Sequence, residues 1–244
     1  KLTLAYDGAA YAGWQVQANE RTIQETVERA FKSITGQATR VVASGRTDAG
    51  VHALGQVVSV ATECDLPPNV FRRALNANLP HDISVLLVEE APDGFHAIRD
   101  AIRKRYRYVL QDGEAADVFQ RHYSWYVPQR LDETAMHSAA QCFLGEHDFS
   151  SFETTGSERA TSVRVVTDVL VERRTEQGRG VVVFEIEANG FLYNMVRAIV
   201  GTLVDLGRGA QPPTCPAEEL TTKNRKAAGM TAPPQGLFLV NVDY

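Results

Sequence analysis

The chain has 244 residues, of which 44% are hydrophobic and 23% are charged, and its formal net charge is −5. This length allows one large domain or two small ones with a buried core, and the composition is that of a folded globular protein. The acidic balance argues against a non-specific nucleic-acid binder, although a local basic patch would still be compatible with it.

Cysteine usage and hydropathy further narrow the class of protein and its cellular compartment. The three cysteines, Cys64, Cys142 and Cys215, are far apart in the sequence, and none belongs to a Cys-x-x-Cys pair. We therefore expect a reducing compartment, without a disulfide framework or a cysteine zinc site. The longest apolar runs are much shorter than the roughly 20 residues of a membrane span. The first residues, KLTLAYDG, lack the layout of a signal peptide, so we expect a cytoplasmic protein with no membrane partner.

The first part of the chain predicts the order strand, helix, strand, strand, helix, strand. The helix at 22–36 has the clearest pattern, because apolar residues recur at helical spacing, Thr22 and Glu25 form a capping box, and Gly36 is a stop signal. The other predicted elements of this part are a helix at 67–80 and strands at 2–6, 39–44, 55–62 and 83–91. This order is that of the split βαβ, or ferredoxin-like, arrangement.

The remainder repeats a similar order. The predicted elements are strands at 103–110, 162–174, 180–188 and 236–242 and helices at 132–145, with Asp132 as cap, and 190–207. We therefore predict an α+β protein of two similar ferredoxin-like domains, residues 1–98 and 99–244. The alternative is that the repeated order is a coincidence of loosely defined strands.

The segment SGRTDAGVHA at 44–53 places Arg46 and Asp48 in a loop between two predicted strands. Such a loop gives an aspartate access to a substrate, and its glycines allow tight turns of the backbone. Arg46, if close, would keep the carboxylate charged. The alternative is that Asp48 simply begins a β-turn.

A basic and aromatic strand, RKRYRY, begins at Arg103. Alternation places Arg103, Arg105 and Arg107 on one face and Lys104 and Tyr106 on the other. Cations that meet phosphates beside a ring that stacks on a base suit RNA, so charge removal at Arg103 and Arg105 is expected to weaken binding. The alternative is a solvated charged face with the tyrosines in the core.

Arg197 lies in the apolar sequence of the helix predicted at 190–207. A buried cation needs a partner, and Asp48 is one candidate. The alternative is a surface arginine on the polar side of the helix.

The sequence has no paired metal-ligating histidines, no Gly-x-Ser-x-Gly, no P-loop and no Gly-x-Gly-x-x-Gly, so we expect neither a metal nor a nucleotide cofactor.

Eight stretches carry a resemblance to a known family. In chain order they are YDGAAYAGWQVQ at 6–17, TIQETVERA at 22–30, SGRTDAGVHALGQV at 44–57, NANLP at 76–80, FHA at 95–97, KRYRY at 104–108, FLYNMVRAIVG at 191–201 and GLFLVNVDY at 236–244. The chain resembles the tRNA pseudouridine synthase A family, which acts on the anticodon stem-loop. The resemblance implies isomerisation of uridine to pseudouridine at tRNA positions 38 to 40. It also implies that the enzyme is a homodimer that needs no cofactor. Within each chain, it implies two domains that join their sheets around an active-site cleft.

The same resemblance implies roles for individual residues. Asp48 matches the essential aspartate, expected as nucleophile, and Arg46 matches the arginine of the same loop. Tyr106 matches the tyrosine that contacts the flipped base, and Lys104 precedes it in the motif as a candidate substrate-binding residue. Arg197 matches the arginine associated with the aspartate.

One position departs from the family pattern. Relatives often have Phe-His-Ala-Arg, whereas in this chain Ile98 follows Ala97 and the arginine comes one position later, at Arg99. This puts the role of a cation at this point in doubt.

Two other functions stay open from the residues alone. One is a non-catalytic RNA-binding module, which would leave the Arg-Thr-Asp loop unexplained. The other is a nucleoside hydrolase or glycosidase, but only one candidate carboxylate is evident, whereas glycosidases usually use two.

Overall fold

The computed structural model describes residues 1–154, 161–176, 179–225 and 228–244. The chain forms two compact units, which we call unit 1 (Lys1–Ile102 with Phe238–Tyr244) and unit 2 (Arg103–Leu237). The domain division predicted from the sequence, 1–98 and 99–244, stays a prediction. Among the described residues, no helix combines the length and apolar character needed to cross a membrane.

Ten strands and five α-helices make up most of the described chain. The strands are β1 (Leu2–Tyr6), β2 (Val42–Ala43), β3 (His52–Ser59), β4 (Ile83–Val88), β5 (Arg103–Asp112), β6 (Trp125–Val127), β7 (Gly145–Asp148), β8 (Val163–Glu176), β9 (Arg179–Ala188) and β10 (Leu237–Asp243). The α-helices are α1 (Ile23–Thr35), α2 (Pro68–Asn78), α3 (Glu133–Ala140), α4 (Met195–Gly207) and α5 (Cys215–Thr222).

Unit 1 is built on antiparallel strands in the order β4-β1-β3, with β2 antiparallel to β3. The late strand β10 pairs with β3 in parallel, where Phe238 is opposite His52 and Leu239 is opposite Ala53. The helices α1 and α2 pack through Phe31 and Phe71, whose ring centroids lie 5.2 Å apart. The apolar side of α1 is buried, as its helical spacing predicted.

Unit 2 has the antiparallel order β5-β9-β8-β7, and β6 pairs with β5 in parallel. Helix α4 is buried along nearly its whole length and packs against α3 and α5. The inner side chains of β9, such as Phe184 and Ile186, are fully buried. Both units therefore mix helices with mostly antiparallel strands, as the sequence predicted at this coarse level.

Several local predictions need correction. The hydroxyl of Thr22 makes no capping hydrogen bond and finds no partner among the described residues, so the predicted capping box is wrong. The helix predicted at 190–207 begins only at Met195, because Asn194 has a left-handed backbone with φ of 61°. The strand predicted at 39–44 shrinks to β2, because only that part pairs with β3.

The predicted cap of α3 is confirmed. The side chain of Asp132 accepts a hydrogen bond from the Ala135 amide.

Candidate active site

Asp48 lies in the loop between β2 and β3, and its side chain is half-buried. The Val51 amide donates to the Asp48 carbonyl at 3.1 Å, which closes a tight turn after the aspartate. Arg46, two residues earlier, is exposed, whereas Thr47 between them is buried. The loop therefore carries two charged side chains, Arg46 and Asp48, and the buried polar side chain of Thr47 lies between them in the sequence.

Thr47 belongs to a buried polar network beneath this loop. The hydroxyls of Thr47 and Tyr6 lie 2.8 Å apart, and Gln56 donates through Nε2 to the Gly45 carbonyl at 2.9 Å and to the Tyr6 hydroxyl. Ser44 donates to Gln56 Oε1 at 2.7 Å. Burial raises the pKa of Tyr6 to about 12, against the opposing hydrogen bonds of Thr47 and Gln56, so this hydroxyl stays protonated.

A second segment, residues 8–14, packs against the same loop. The Trp14 amide donates to the Thr47 carbonyl at 2.9 Å, and the Gly50 amide donates to the Tyr11 carbonyl at 3.3 Å. The Gly8 amide donates to Nδ1 of His52, at the start of β3. The backbone on both sides of Asp48 is therefore tied to this segment.

In unit 2, Tyr106 and Lys104 share one face of β5. Tyr106 is 8% exposed, and its ring meets Phe191 edge-on with centroids 5.0 Å apart. Lys104 is half-buried opposite Ala188 of β9. The alternation predicted for this strand is present, and the face that carries Tyr106 combines an aromatic ring with a cation.

Arg197 projects from the first turn of α4 and is half-buried. Its Nε donates to the Ala232 carbonyl at 2.7 Å and its Nη1 donates to Asn194 Oδ1 at 2.8 Å. The Ala232 amide in turn donates to the Arg197 carbonyl. These acceptors are neutral, so they orient the guanidinium without cancelling its charge. Its predicted ion pair with Asp48 stays a prediction.

The arginine face of β5 differs from the RNA-binding face that we hypothesised. Arg105 contacts Asp168 at 2.9 Å, Glu187 at 3.0 Å and Glu185 at 3.4 Å, and Arg107 contacts Glu185 at 2.9 Å. Glu185 and Glu187 are only 7% and 8% exposed. Arginines that already pair with carboxylates are poorly suited to phosphates, so the geometry favours a structural role for Arg105 and Arg107.

The position that departs from the family pattern lies in unit 1. Ile98 is 53% exposed, and Arg99 is also exposed, with Nη2 donating to the Gly94 carbonyl at 3.3 Å. Nδ1 of His96 accepts from the Ile98 amide at 3.2 Å. Arg99 therefore has a local backbone acceptor within its own turn.

In the part of the chain that the structure describes, no group of three or more histidine, cysteine or acidic side chains is arranged to hold a metal ion.

The sequence alone indicates no role for Tyr6, Gln56 or residues 8–14. The motif YDGAAYAGWQ was noted only as part of the resemblance, because nothing in its composition shows that it touches a loop over 30 residues later. The pattern that could have indicated Tyr6 and Gln56 is a polar side chain at an inward position of an otherwise apolar strand.

Comparison with known proteins places these motifs in one family. A family described as tRNA pseudouridine synthase matches residues 3–99 and 139–244. The chain is 45% identical to tRNA pseudouridine synthase A of Acetivibrio thermocellus over 244 residues, covering 100% of this chain and 98% of the relative. The proteins of the same name from an Exiguobacterium species and Listeria monocytogenes are 44% and 43% identical, covering 100% of this chain and 97% and 98% of their own lengths. The chain belongs to the tRNA pseudouridine synthase family.

Proposed function

We propose that this protein isomerises uridine to pseudouridine in tRNA, at positions 38 to 40 of the anticodon stem-loop. The observation that carries the proposal is the similarity over the full chain to relatives named for this activity, with the aspartate loop intact. The reaction has no net gain or loss of atoms. The bond from uracil N1 to ribose C1′ breaks, the base rotates, and a C5–C1′ bond forms as C5 loses a proton and N1 gains one.

Asp48 serves in this proposal as the nucleophile. Its carboxylate oxygen forms a transient bond to the nucleotide, at ribose C1′ or at the uracil ring, which accompanies cleavage of the N1–C1′ bond, and this bond breaks again as the C5–C1′ bond forms. The network of Tyr6, Thr47 and Gln56 supports this role, because it fixes the loop backbone next to the reacting side chain. Arg46 and Arg197 supply positive charge that favours an ionised carboxylate and binds substrate phosphate.

Tyr106 contacts the flipped base in this proposal. A target uridine in a stem must leave the base stack first, at a cost of a few kcal/mol. Stacking on an aromatic ring offsets part of that cost. The edge-on contact with Phe191 holds the Tyr106 ring in place, and Lys104 on the same strand face is suited to a neighbouring phosphate.

The finer architecture follows the same proposal. The element order strand, helix, strand, strand, helix, strand in unit 1, with the pairing β4-β1-β3 and β2 against β3, supports a ferredoxin-like domain. We propose that the protein contains two such domains with joined sheets and an active-site cleft between them. We also propose that it acts as a cytoplasmic homodimer without a cofactor or metal.

The test uses the purified chain and an unmodified tRNA transcript labelled with tritium at uracil C5. Release of tritium into water, with pseudouridine in the nuclease digest, is the expected result. Unchanged uridine would support a binding module instead, and loss of the base would support a hydrolase; either result contradicts the proposal.

Two variants test the assigned residues. Asp48→Asn is nearly isosteric, so turnover should be abolished while tRNA binding persists; full activity would remove Asp48 from the mechanism. Tyr106→Phe keeps the stacking ring, so substrate binding should persist. A large loss of turnover in this variant would assign chemistry to the hydroxyl.

A further inference from the structure

The backbone of Asp48 rests directly on Gly13. Gly13 has φ of +93°, and a Cβ built on it would lie 2.7 Å from the Thr47 carbonyl oxygen, 3.0 Å from the Asp48 carbonyl carbon and 3.1 Å from the Ala49 nitrogen. Such distances are shorter than ordinary contacts, and every atom involved belongs to the backbone. A side chain at Gly13 would therefore have to displace the loop that carries the aspartate, or be displaced by it.

The segment around Gly13 is anchored on its other side. The Ile23 amide at the start of α1 donates to the Gly13 carbonyl at 3.1 Å, and the Gln24 amide donates to the Trp14 carbonyl at 3.0 Å. Trp14 is 2% exposed and Ile23 is fully buried. Because this side is fixed to a packed helix, a Cβ at Gly13 would strain the Asp48 loop as well as residues 8–14.

We propose that Gly13 is a positioning residue for Asp48, and that its missing side chain sets the position of the backbone that carries the carboxylate. This inference rests on the proposed function, because it concerns the placement of the proposed nucleophile. A displacement of about 1 Å in a reacting group costs on the order of 10²-fold in rate. Gly13→Ala should therefore lower kcat far more than it changes tRNA affinity, to which Arg46 of the same loop is only one contributor.

Gly36 provides the matched control. It lies in the same unit with φ of +73°, it is exposed, and a Cβ built on it meets nothing within 4 Å. Gly36→Ala thus carries a similar backbone strain without touching the loop. Both variants are compared with the unaltered chain in thermal unfolding, filter binding of tRNA at a fixed salt concentration, and single-turnover tritium release.

The expected result is a fall of about 10²-fold in the single-turnover rate for Gly13→Ala alone, with a much smaller change in its tRNA binding and no change in that of Gly36→Ala. Equal rates for Gly13→Ala and Gly36→Ala would overturn the positioning role. Failure of the proposed function looks different, because the unaltered chain would then release no tritium.

A second variant covers the case in which Gly13→Ala does not fold. Tyr6→Phe removes the hydroxyl that contacts Thr47 Oγ1 and accepts from Gln56 Nε2, on the strand side of the same loop. A loss of about tenfold in rate, which corresponds to about 1.4 kcal/mol, with little change in tRNA binding supports positioning of Asp48 by the groups that pack against its loop. An unchanged rate refutes it.

Discussion

The arginine face of β5 leads to a prediction that separates stability from RNA binding. Arg105→Met removes the guanidinium that contacts Asp168, Glu187 and Glu185, while the methionine keeps most of the aliphatic stem. Asp168 is half-exposed, so the loss of its ion pair with Arg105 costs little free energy of unfolding. The two glutamates are nearly buried, and each loses a charged hydrogen bond.

The magnitude follows from what remains around those glutamates. Glu185 keeps Arg107 at 2.9 Å and Arg174 at 3.2 Å, and Glu187 keeps the Thr167 hydroxyl at 2.9 Å. The loss is therefore smaller than for a fully abandoned buried charge, and we expect about 2–3 kcal/mol in the free energy of unfolding. That corresponds to a fall in Tm of about 4–12 °C.

The assay pairs urea unfolding with tRNA filter binding across a salt series. Arg29→Met is the control, because this exposed arginine of α1 forms an i,i+4 pair with Glu25 at the surface, and its loss costs at most about 0.5 kcal/mol. Unchanged stability of Arg105→Met, with weaker tRNA binding and a salt slope reduced by about 1, would refute the structural role and restore the RNA-binding hypothesis.

Two further predictions concern unit 2. Arg173 holds the buried Asp112 carboxylate at 2.7 and 2.9 Å, so Arg173→Met should cost about 3–5 kcal/mol at neutral pH. Burial opposes ionisation of Asp112, but Arg173 and the Leu131 amide lower its pKa overall. Its stabilisation is therefore present above the unfolded pKa of about 3.9 and is lost as pH falls through the folded value. The deficit of the variant in urea unfolding should shrink toward acid, and a constant deficit would contradict this. In Gly201→Ala, the new Cβ would lie 1.7 Å from the Met230 carbonyl oxygen, so thermal unfolding should show a loss of about 1–3 kcal/mol; an unchanged Tm would show that the chain relaxes freely there.

The elements that were predicted well are those whose signal is local. Helix α1 has apolar spacing and a terminal glycine, and Gly36 does adopt the left-handed conformation that ends it. Asp132 caps α3 because an aspartate before a helix needs only the next turn as partner. The errors at Thr22 and Asn194 arise because tertiary packing decides where those side chains lie and how the backbone enters the helix.

In the candidate site, too, features with a local signal could be predicted from the sequence, and features set by tertiary contacts could not. The position of Asp48 in a loop between two strands could be predicted, because a charged residue between glycines stands out in the sequence, and its catalytic role stays a prediction. Gly13 could not, because its role depends on contacts with residues 47–49, which only folding brings near. The arginine row was visible as a charge pattern, but its partners Asp168 and Glu187 come from distant strands, so the sequence showed the cations without their anions.

The parallel pairing of β10 with β3 has a consequence for biosynthesis. The Asp48 loop leads into β3, yet the strand beside it includes Phe238 and Leu239, which are translated after all of unit 2. At about 5–20 residues per second, the ribosome needs roughly 7–27 s to make unit 2. Until then, His52 lacks the ring of Phe238 that stacks on it at 4.7 Å. A nascent chain thus completes the pairing of β3, the strand that follows the Asp48 loop, only after all of unit 2 has been translated.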